Sequence, residues 1–300
     1  MAEYILIGGG CIKPCERECL ASCELLSGSN PIAFEPFVDP RRGAKLAKFG
    51  SNLVVVGGCS DFGHHLDSIE VNCLDNSSPW QRCVTKLPFE TSCFSFCQFN
   101  QNSAILFGGY DGRDCLNKVC SITQKDHVMV VTDLPRLRTR LKNGAALQVD
   151  SDTILLIGGW DEVRTLNTIF SFSIKNHTCE FKMSLPSALE GHTVTTIVEN
   201  NFALIVGGYN GYGVQNGIYL LNFKNNKCNK LEIKLDIARE NHCAEFKNQE
   251  LIIFNGWSGS NTLDSIEVFA VINCEPWLIR KESRKSLIAR NKPCSIQLDF

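Results

Sequence analysis

The sequence predicts an all-β fold, a six-bladed β-propeller with four antiparallel strands per blade. Three observations carry this expectation. Six short apolar runs recur along the 300 residues: YILIGG (4–9), LVVVGG (53–58), AILFGG (104–109), ILLIGG (154–159), ALIVGG (203–208) and LIIFNG (251–256). Their second-last residues stand at 8, 57, 108, 158, 207 and 255, in steps of 49, 51, 50, 49 and 48, and so regular a period marks one supersecondary unit repeated. The second observation is a following segment with period-two alternation: LDSIEV (66–71), LNKVCSI (116–122), LNTIFSF (166–172), QNGIYLL (215–221) and LDSIEV again (263–268). The third is a leftover strand, KPCSIQL (292–298), at the end of the chain.

Within one repeat the elements follow in order. A run of four or five β-branched or large apolar residues is too short for a helix and suits a buried strand. The glycine pair supplies a turn that tolerates positive φ. Polar tips follow, such as YDGRD (110–114) and WSGSN (257–261), and then the alternating strand. An aromatic stands further on in some repeats (Trp80, Phe181, Trp277), before a segment with proline or basic residues that leads into the next strand. Four strands in about fifty residues make a propeller blade. One domain is expected over 1–300. Blade 1 spans about 4–38 plus 291–299, blade 2 about 44–86 and blade 3 about 93–133. Blade 4 spans about 143–184, blade 5 about 191–234 and blade 6 about 242–281. GAALQV (144–149) and HTVTTIV (192–198) each precede a glycine-pair strand, whereas Tyr4 has no such segment before it. KPCSIQL is therefore expected to pair into blade 1, closing the fold and removing open sheet edges.

The residues resemble a kelch-repeat protein. The kelch signature is four apolar residues, a double glycine, an aromatic after one spacer and a tryptophan after another. Repeats two and six match best, with LVVVGG, LDSIEV and Trp80, and with LIIFNG, LDSIEV and Trp277. In repeats one, three and five, Phe34 or Phe37, Val128 and Leu231 stand near the tryptophan's place, and Asn255 replaces a glycine in repeat six. The resemblance covers residues 4–299 and implies a propeller without a fused BTB, BACK or F-box segment.

Composition narrows the function. A net charge of −2 gives no push toward nucleic acid or membrane, and no apolar stretch has the length of a membrane span. No secretory leader pattern is legible, so the sixteen cysteines are expected to be mostly reduced thiols in a cytoplasmic monomer. The run Cys11, Cys15, Cys19, Cys23 lacks the paired spacing of a zinc site, and no metal or cofactor is expected. No nucleophile elbow or phosphate loop is present. His192 and His242 take equivalent places in successive repeats, which favours a structural role. Against the Glu-x3-Asp-x3-His motif of kelch-like specifier proteins, Asp61 and His65 fit but position 57 is glycine. Nothing marks a copper-oxidase site.

The basic segments are more informative: DPRRGAK (39–45), LPRLRTRLK (134–142), IARENH (237–242) and SLIARNK (286–292). They resemble the kelch Pro-Arg-x-x-His element, and the resemblance implies loops around the mouth of the central channel. Arg41, Arg42, Arg136, Arg138, Arg140, Arg239 and Arg290 would converge there, with Arg41, Arg138, Arg239 and Arg290 in equivalent places. Tyr110, Trp160, Tyr209, Tyr212 and Trp257 would rim the same face. Arginine forks beside aromatics suit a carboxylate-bearing peptide. The competing role for the arginines is to brace adjacent blades. The expected function is a non-enzymatic protein-interaction module for an acidic or polar partner segment. Kelch proteins commonly recruit substrates to cullin ubiquitin ligases or bind actin, and both are contexts that the resemblance implies. The alternative is a small-molecule enzyme of the sialic-acid mutarotase or lyase kind, whose arginine-lined pocket would look similar.

Overall fold

The computed structural model describes residues 3–13, 18–27, 30–76, 78–126, 128–197, 201–272, 274–275 and 277–299. Cys15 and His127 lie outside these. Blade 1 contains β1 (Glu3–Gly8), β2 (Cys23–Ser27) and β3 (Asn30–Phe34). Blade 2 has β4 (Lys45–Phe49), β5 (Asn52–Val56), β6 (Ser68–Cys73) and β7 (Gln81–Lys86). Blade 3 has β8 (Ser95–Asn100), β9 (Ser103–Phe107), β10 (Val119–Lys125) and β11 (Val128–Leu134). Blade 4 has β12 (Ala145–Gln148), β13 (Thr153–Ile157), β14 (Thr168–Ser173) and β15 (Cys179–Ser184). Blade 5 has β16 (Thr193–Ile197), β17 (Phe202–Val206), β18 (Gly217–Asn222) and β19 (Lys227–Lys234). Blade 6 has β20 (Cys243–Lys247), β21 (Glu250–Phe254), β22 (Ser265–Val271) and β23 (Leu278–Lys285). The last strand, β24 (Cys294–Asp299), completes blade 1 in the order β24-β1-β2-β3.

All six sheets are four-stranded and antiparallel, the fold class expected of a six-bladed propeller. β24 pairs with β1 from Tyr4↔Leu298 to Gly8↔Cys294, and the Cys294 thiol donates to the Gly8 carbonyl at 3.4 Å. The leftover strand is thus a structural part of blade 1. Among the described residues no helix is long and apolar enough to cross a membrane.

The chain divides into two compact units, Met1–Lys142 with Lys292–Phe300, and Asn143–Asn291. Unit 1 holds blades 1 to 3 and unit 2 holds blades 4 to 6. Each unit has its core between its own sheets. In unit 1, Leu6, Leu25, Leu46, Leu53, Val55 and Trp80 pack together, and Val54, Val56, Phe94, Leu106 and Ile122 form the next layer. In unit 2, Leu155, Ile157, Ala203, Ile205 and Leu221 form one layer, and Leu204, Val206, Leu251, Ile253 and Phe269 another. The second strands are mostly apolar, and in blades 2 and 5 both faces of that strand meet a core layer: Leu53 and Val55 on one face and Val54 and Val56 on the other, and likewise Ala203 and Ile205 against Leu204 and Val206. Fully burying each such side chain stabilises the fold by about 1.5–3 kcal/mol. The fourth strands alternate instead; in β7, Val84 is fully exposed.

The first glycine pair is one residue later than the apolar run indicates. Gly9 N–H donates to Ser22 O and Gly10 N–H to Arg41 O, as Gly57 does to Ser68 O and Gly58 to Thr91 O. The pair is therefore Gly9–Gly10, with φ of +65° and +94°, and Gly8 belongs to β1. In blade 6, Asn255 takes the first glycine's place at φ +61°. Asparagine tolerates this left-handed conformation. Its amide donates to Leu263 O, Ser286 Oγ and Ile288 O, at 3.1, 2.9 and 3.2 Å.

Candidate functional site

The loop entering the first strand of each blade follows one path, fixed by the preceding glycine pair. In unit 1, Gly10, Gly58 and Gly109 donate their N–H to the carbonyls of Arg41, Thr91 and Leu141 at 2.8–2.9 Å. In unit 2, Gly159, Gly208 and Gly256 donate to Leu189, Arg239 and Arg290 at 2.8 Å. These six residues share one repeat position. Leu141, not Arg138, holds it before blade 4. Arg138 lies three residues earlier on the surface, so its expected equivalence with Arg41, Arg239 and Arg290 fails.

The arginines at that position point inward. Arg41, Arg239 and Arg290 are each 0% exposed, so none of the three presents a guanidinium to a ligand. Arg41 donates to Gly57 O at 2.7 Å and Ser68 Oγ at 3.3 Å, and pairs with the buried Glu70 carboxylate. Glu70 also accepts the N–H groups of Val38 and Asp39 at 2.8 and 2.9 Å. Blade 6 repeats the device. Arg239 donates to Asn255 O at 2.9 Å, Ser265 Oγ at 3.1 Å and Glu267 at 2.7 Å. Glu267 accepts from Asp236 N–H at 2.9 Å and from Arg280 at 2.8 Å. Burial lowers the Arg239 pKa against the opposing pull of Glu267. Burial would raise Glu267, but Arg280, the Asp236 amide and Arg239 outweigh it and hold its pKa below the ordinary value. Arg239 and Glu267 thus form a buried ion pair in which, among the described residues, Arg239 Nε alone lacks an acceptor, and such a pair is costly to break by removing one member. The serine and glutamate come from the two identical LDSIEV segments.

The expected arginines that are not buried all lie in unit 1. Arg136, Arg138 and Arg140 are exposed on the loop after β11, and Lys142, at its end, is half-buried. Lys142 Nζ lies 4.6 Å from the centroid of the Tyr110 ring, which packs T-shaped with the His65 ring, the two centroids 5.2 Å apart. Arg140 reaches Asp114 at 3.4 Å; both are exposed, and such a pair contributes little. Arg42, half-buried, stands one residue past the repeat position, as Lys142 does. Its guanidinium lies 3.9 Å from Cys59 Sγ, among the thiols of Cys11, Cys19 and Cys59. Burial pushes these thiols up, Cys19 to about 12, against the pull of Arg42. Cys19 Sγ donates to Cys59 O at 3.1 Å. Cys23, the last of the cysteine run, lies on β2.

Unit 2 carries different groups at matching places. Trp160, Tyr209 and Trp257 follow its glycine pairs, and Tyr212 stands 95% exposed on a loop tip. Glu190 and Glu240 occupy the position of Arg42 and Lys142, in backbone bridges to Tyr209 and Trp257. Glu190 accepts from Asn143 at 2.8 Å and Thr165 at 3.1 Å. His192 and His242 are buried against glycines: a Cβ at Gly158 would lie 2.8 Å from His192 Cε1, and one at Gly207 2.9 Å from His242 Cε1. Among the described residues no cluster of His, Cys, Asp and Glu has the arrangement to hold a metal ion.

Sequence reasoning missed the buried carboxylates Glu70 and Glu267 and the fourth-strand arginines Arg82 and Arg280. The exact duplication of LDSIEV was the available signal.

No family model and no curated protein matches the chain. Among solved structures 709 chains match, too wide a sharing of the fold to single out one activity. One of them, the structure of YjhT, superposes with a TM-score of 0.70 at 13% sequence identity, covering 87% of this chain and 91% of that one. At that identity the likeness shows the fold: a six-bladed β-propeller.

Proposed function

We propose that the chain is a kelch-type propeller acting as a non-enzymatic protein-interaction module. In this reading unit 1 binds an acidic segment of a partner protein through Arg42, Arg136, Arg138, Arg140 and Lys142, with Tyr110 as the neighbouring aromatic. One observation carries it. With Arg41, Arg239 and Arg290 buried, the other four arginines of the expected site remain at or near the surface, and all belong to unit 1. Planar guanidiniums form paired hydrogen bonds with carboxylates, and their charges speed and orient encounter. The paired LDSIEV segments and their arginines support the kelch assignment. With it come the contexts of a substrate receptor for a cullin-type ligase or an actin binder. The same reading puts the chain in a reducing compartment such as the cytoplasm, where cysteines persist as thiols.

The test is fluorescence polarisation with a labelled dodecapeptide of alternating glutamate and serine, at low and physiological salt. Arg136→Glu with Arg138→Glu should weaken binding about ten-fold or more, equivalent to about 1.4 kcal/mol. Its melting temperature should match wild type, since surface substitutions cost within about 0.5 kcal/mol. Equal binding by the variant, or equal binding of a lysine–serine peptide by wild type, would refute the reading.

A further inference from the structure

Cys93 begins the approach to β8 with φ +55°, a left-handed conformation uncommon for a residue with a side chain. Gly43 and Lys292 stand at the equivalent places before β4 and β24, with φ of +62° and +57°. The backbone joins the three: Cys93 N–H donates to Gly43 O at 2.8 Å, and Gly43 N–H to Lys292 O at 2.9 Å. Position 43 requires glycine for a second reason. A Cβ there would lie 2.7 Å from Cys93 Sγ, so the sulfur rests on bare backbone. Lys292 Nζ lies 3.4 Å from that sulfur. Ser92 and Lys142 also face it, and Cys11 and Cys59 are the nearby thiols that interact with it.

We propose that Cys93 is a nucleophilic thiolate that is oxidised by hydroperoxides, held against Gly43 and activated by the Lys292 ammonium. The inference rests on the geometry of unit 1 and not on the identity of a partner. Cys93 is half-buried, between the surface and the core of unit 1. Burial alone would push its pKa up, but the Lys292 charge, hydrogen bonds from Ser92 and Lys292, and the Lys142 charge outweigh burial and lower it. The neighbours Cys11, Cys19 and Cys59 are all raised instead. Because the thiolate is the nucleophile, this cluster contains one reactive sulfur among inert ones. In the reaction the sulfur attacks one peroxide oxygen, an S–O bond forms and the O–O bond breaks. The sulfur is oxidised by two electrons and the peroxide is reduced. The departing hydroxide takes a proton from the Lys292 ammonium and leaves as water, and Cys93 remains as a sulfenic acid.

The experiment is site-resolved alkylation of the full chain by iodoacetamide, read by peptide mass spectrometry from pH 5 to 10. Cys274, which is exposed, is the internal control. Cys93 should react several-fold faster than Cys274 at pH 7, because a lowered pKa enlarges its thiolate fraction. Its rate should be half-maximal below the ordinary thiol value of 9.0. Lys292→Met should slow Cys93 about ten-fold and leave Cys274 unchanged, whereas Lys292→Arg should keep the rate. Hydrogen peroxide followed by dimedone should tag Cys93 before any other cysteine. Faster labelling of Cys274, a half-maximal pH above 9.0, or indifference to Lys292→Met in a variant that melts like wild type would each overturn the proposal. If Lys292→Met fails to fold, the wild-type pH profile and Lys142→Met, which lies outside β24 and should slow Cys93 two- to three-fold, decide it.

Discussion

Units 1 and 2 use the same backbone device and clothe it differently. In both, a glycine pair donates to a loop carbonyl, and two residues later a left-handed residue turns the chain into the first strand. In unit 1 the left-handed places hold Lys292, Gly43 and Cys93, and in unit 2 Asn143, Gly191 and Asn241. One position earlier, unit 1 has Arg42, Ser92 and Lys142, where unit 2 has Glu190, Glu240 and Asn291. After the glycine pairs, unit 1 places Cys11, Cys59 and Tyr110, and unit 2 places Trp160, Tyr209 and Trp257. The path is set by φ and by backbone hydrogen bonds, which many side chains satisfy. The chemistry is set by the few positions that the path leaves free. Cations and thiols gather in one unit, carboxylates and indoles in the other.

The strongest way to break this comparison is to remove β24. Deleting residues 294–300 strips the ladder from β1 and opens the layer around Leu6, Leu25 and Trp80. Trp80 reports on unit 1, while Trp160, Trp257 and Trp277 report on unit 2. Hydrogen exchange should show β1–β3 losing protection while β16–β23 retain it. Equal loss in both units would mean that they unfold together. A truncated chain as stable as wild type would show that β24 contributes nothing.

The next largest effect tests the shared element. Arg41→Ala in unit 1 and Arg239→Ala in unit 2 each leave a buried carboxylate uncompensated, expected to cost about 3–5 kcal/mol in denaturant unfolding. Arg239→Met with Glu267→Leu should recover much of the loss, because the desolvated charges go together. A loss below about 1 kcal/mol for either single variant would mean that its arginine is not a brace.

The smallest effect is pH dependence. Glu267 has a folded pKa below its unfolded value of about 4.5. Its stabilisation is therefore fully present above pH 4.5 and is lost as pH falls through the folded value. Stability of the wild type should fall with acid in that window. Glu267→Gln, less stable at pH 7, should show a shallower slope there in urea titrations. An unchanged slope would remove Glu267 from the acid response.

Most of the fold was legible because period-two strands and glycine turns are local signals. The one-residue shift at Gly9–Gly10 was not, since three consecutive glycines leave the register open until Arg41 O fixes it. The arginines were legible as a repeat feature but not as buried ones. The distinguishing signal is a pairing within the chain. Arg41 and Arg239 precede segments with glutamate, Glu70 and Glu267, and the buried Glu24 holds the same place in blade 1, whereas Thr91, Leu141 and Leu189 precede segments with Cys120, Phe170 and Tyr219 there. A carboxylate cannot be buried alone, so the residue type on one strand foretells the residue type in the loop.

Lys292 and Cys93 are 199 residues apart, and Cys294 and Gly8 are 286 apart. Contacts so distant in sequence form only after a long loop closes, an entropic cost that makes them late in folding. The ammonium that activates Cys93 therefore arrives with the last strand. Before that docking Cys93 is an ordinary thiol, and afterwards it is an activated one. Pulse alkylation during refolding would make this sulfur a clock for the moment at which the two ends of the chain meet.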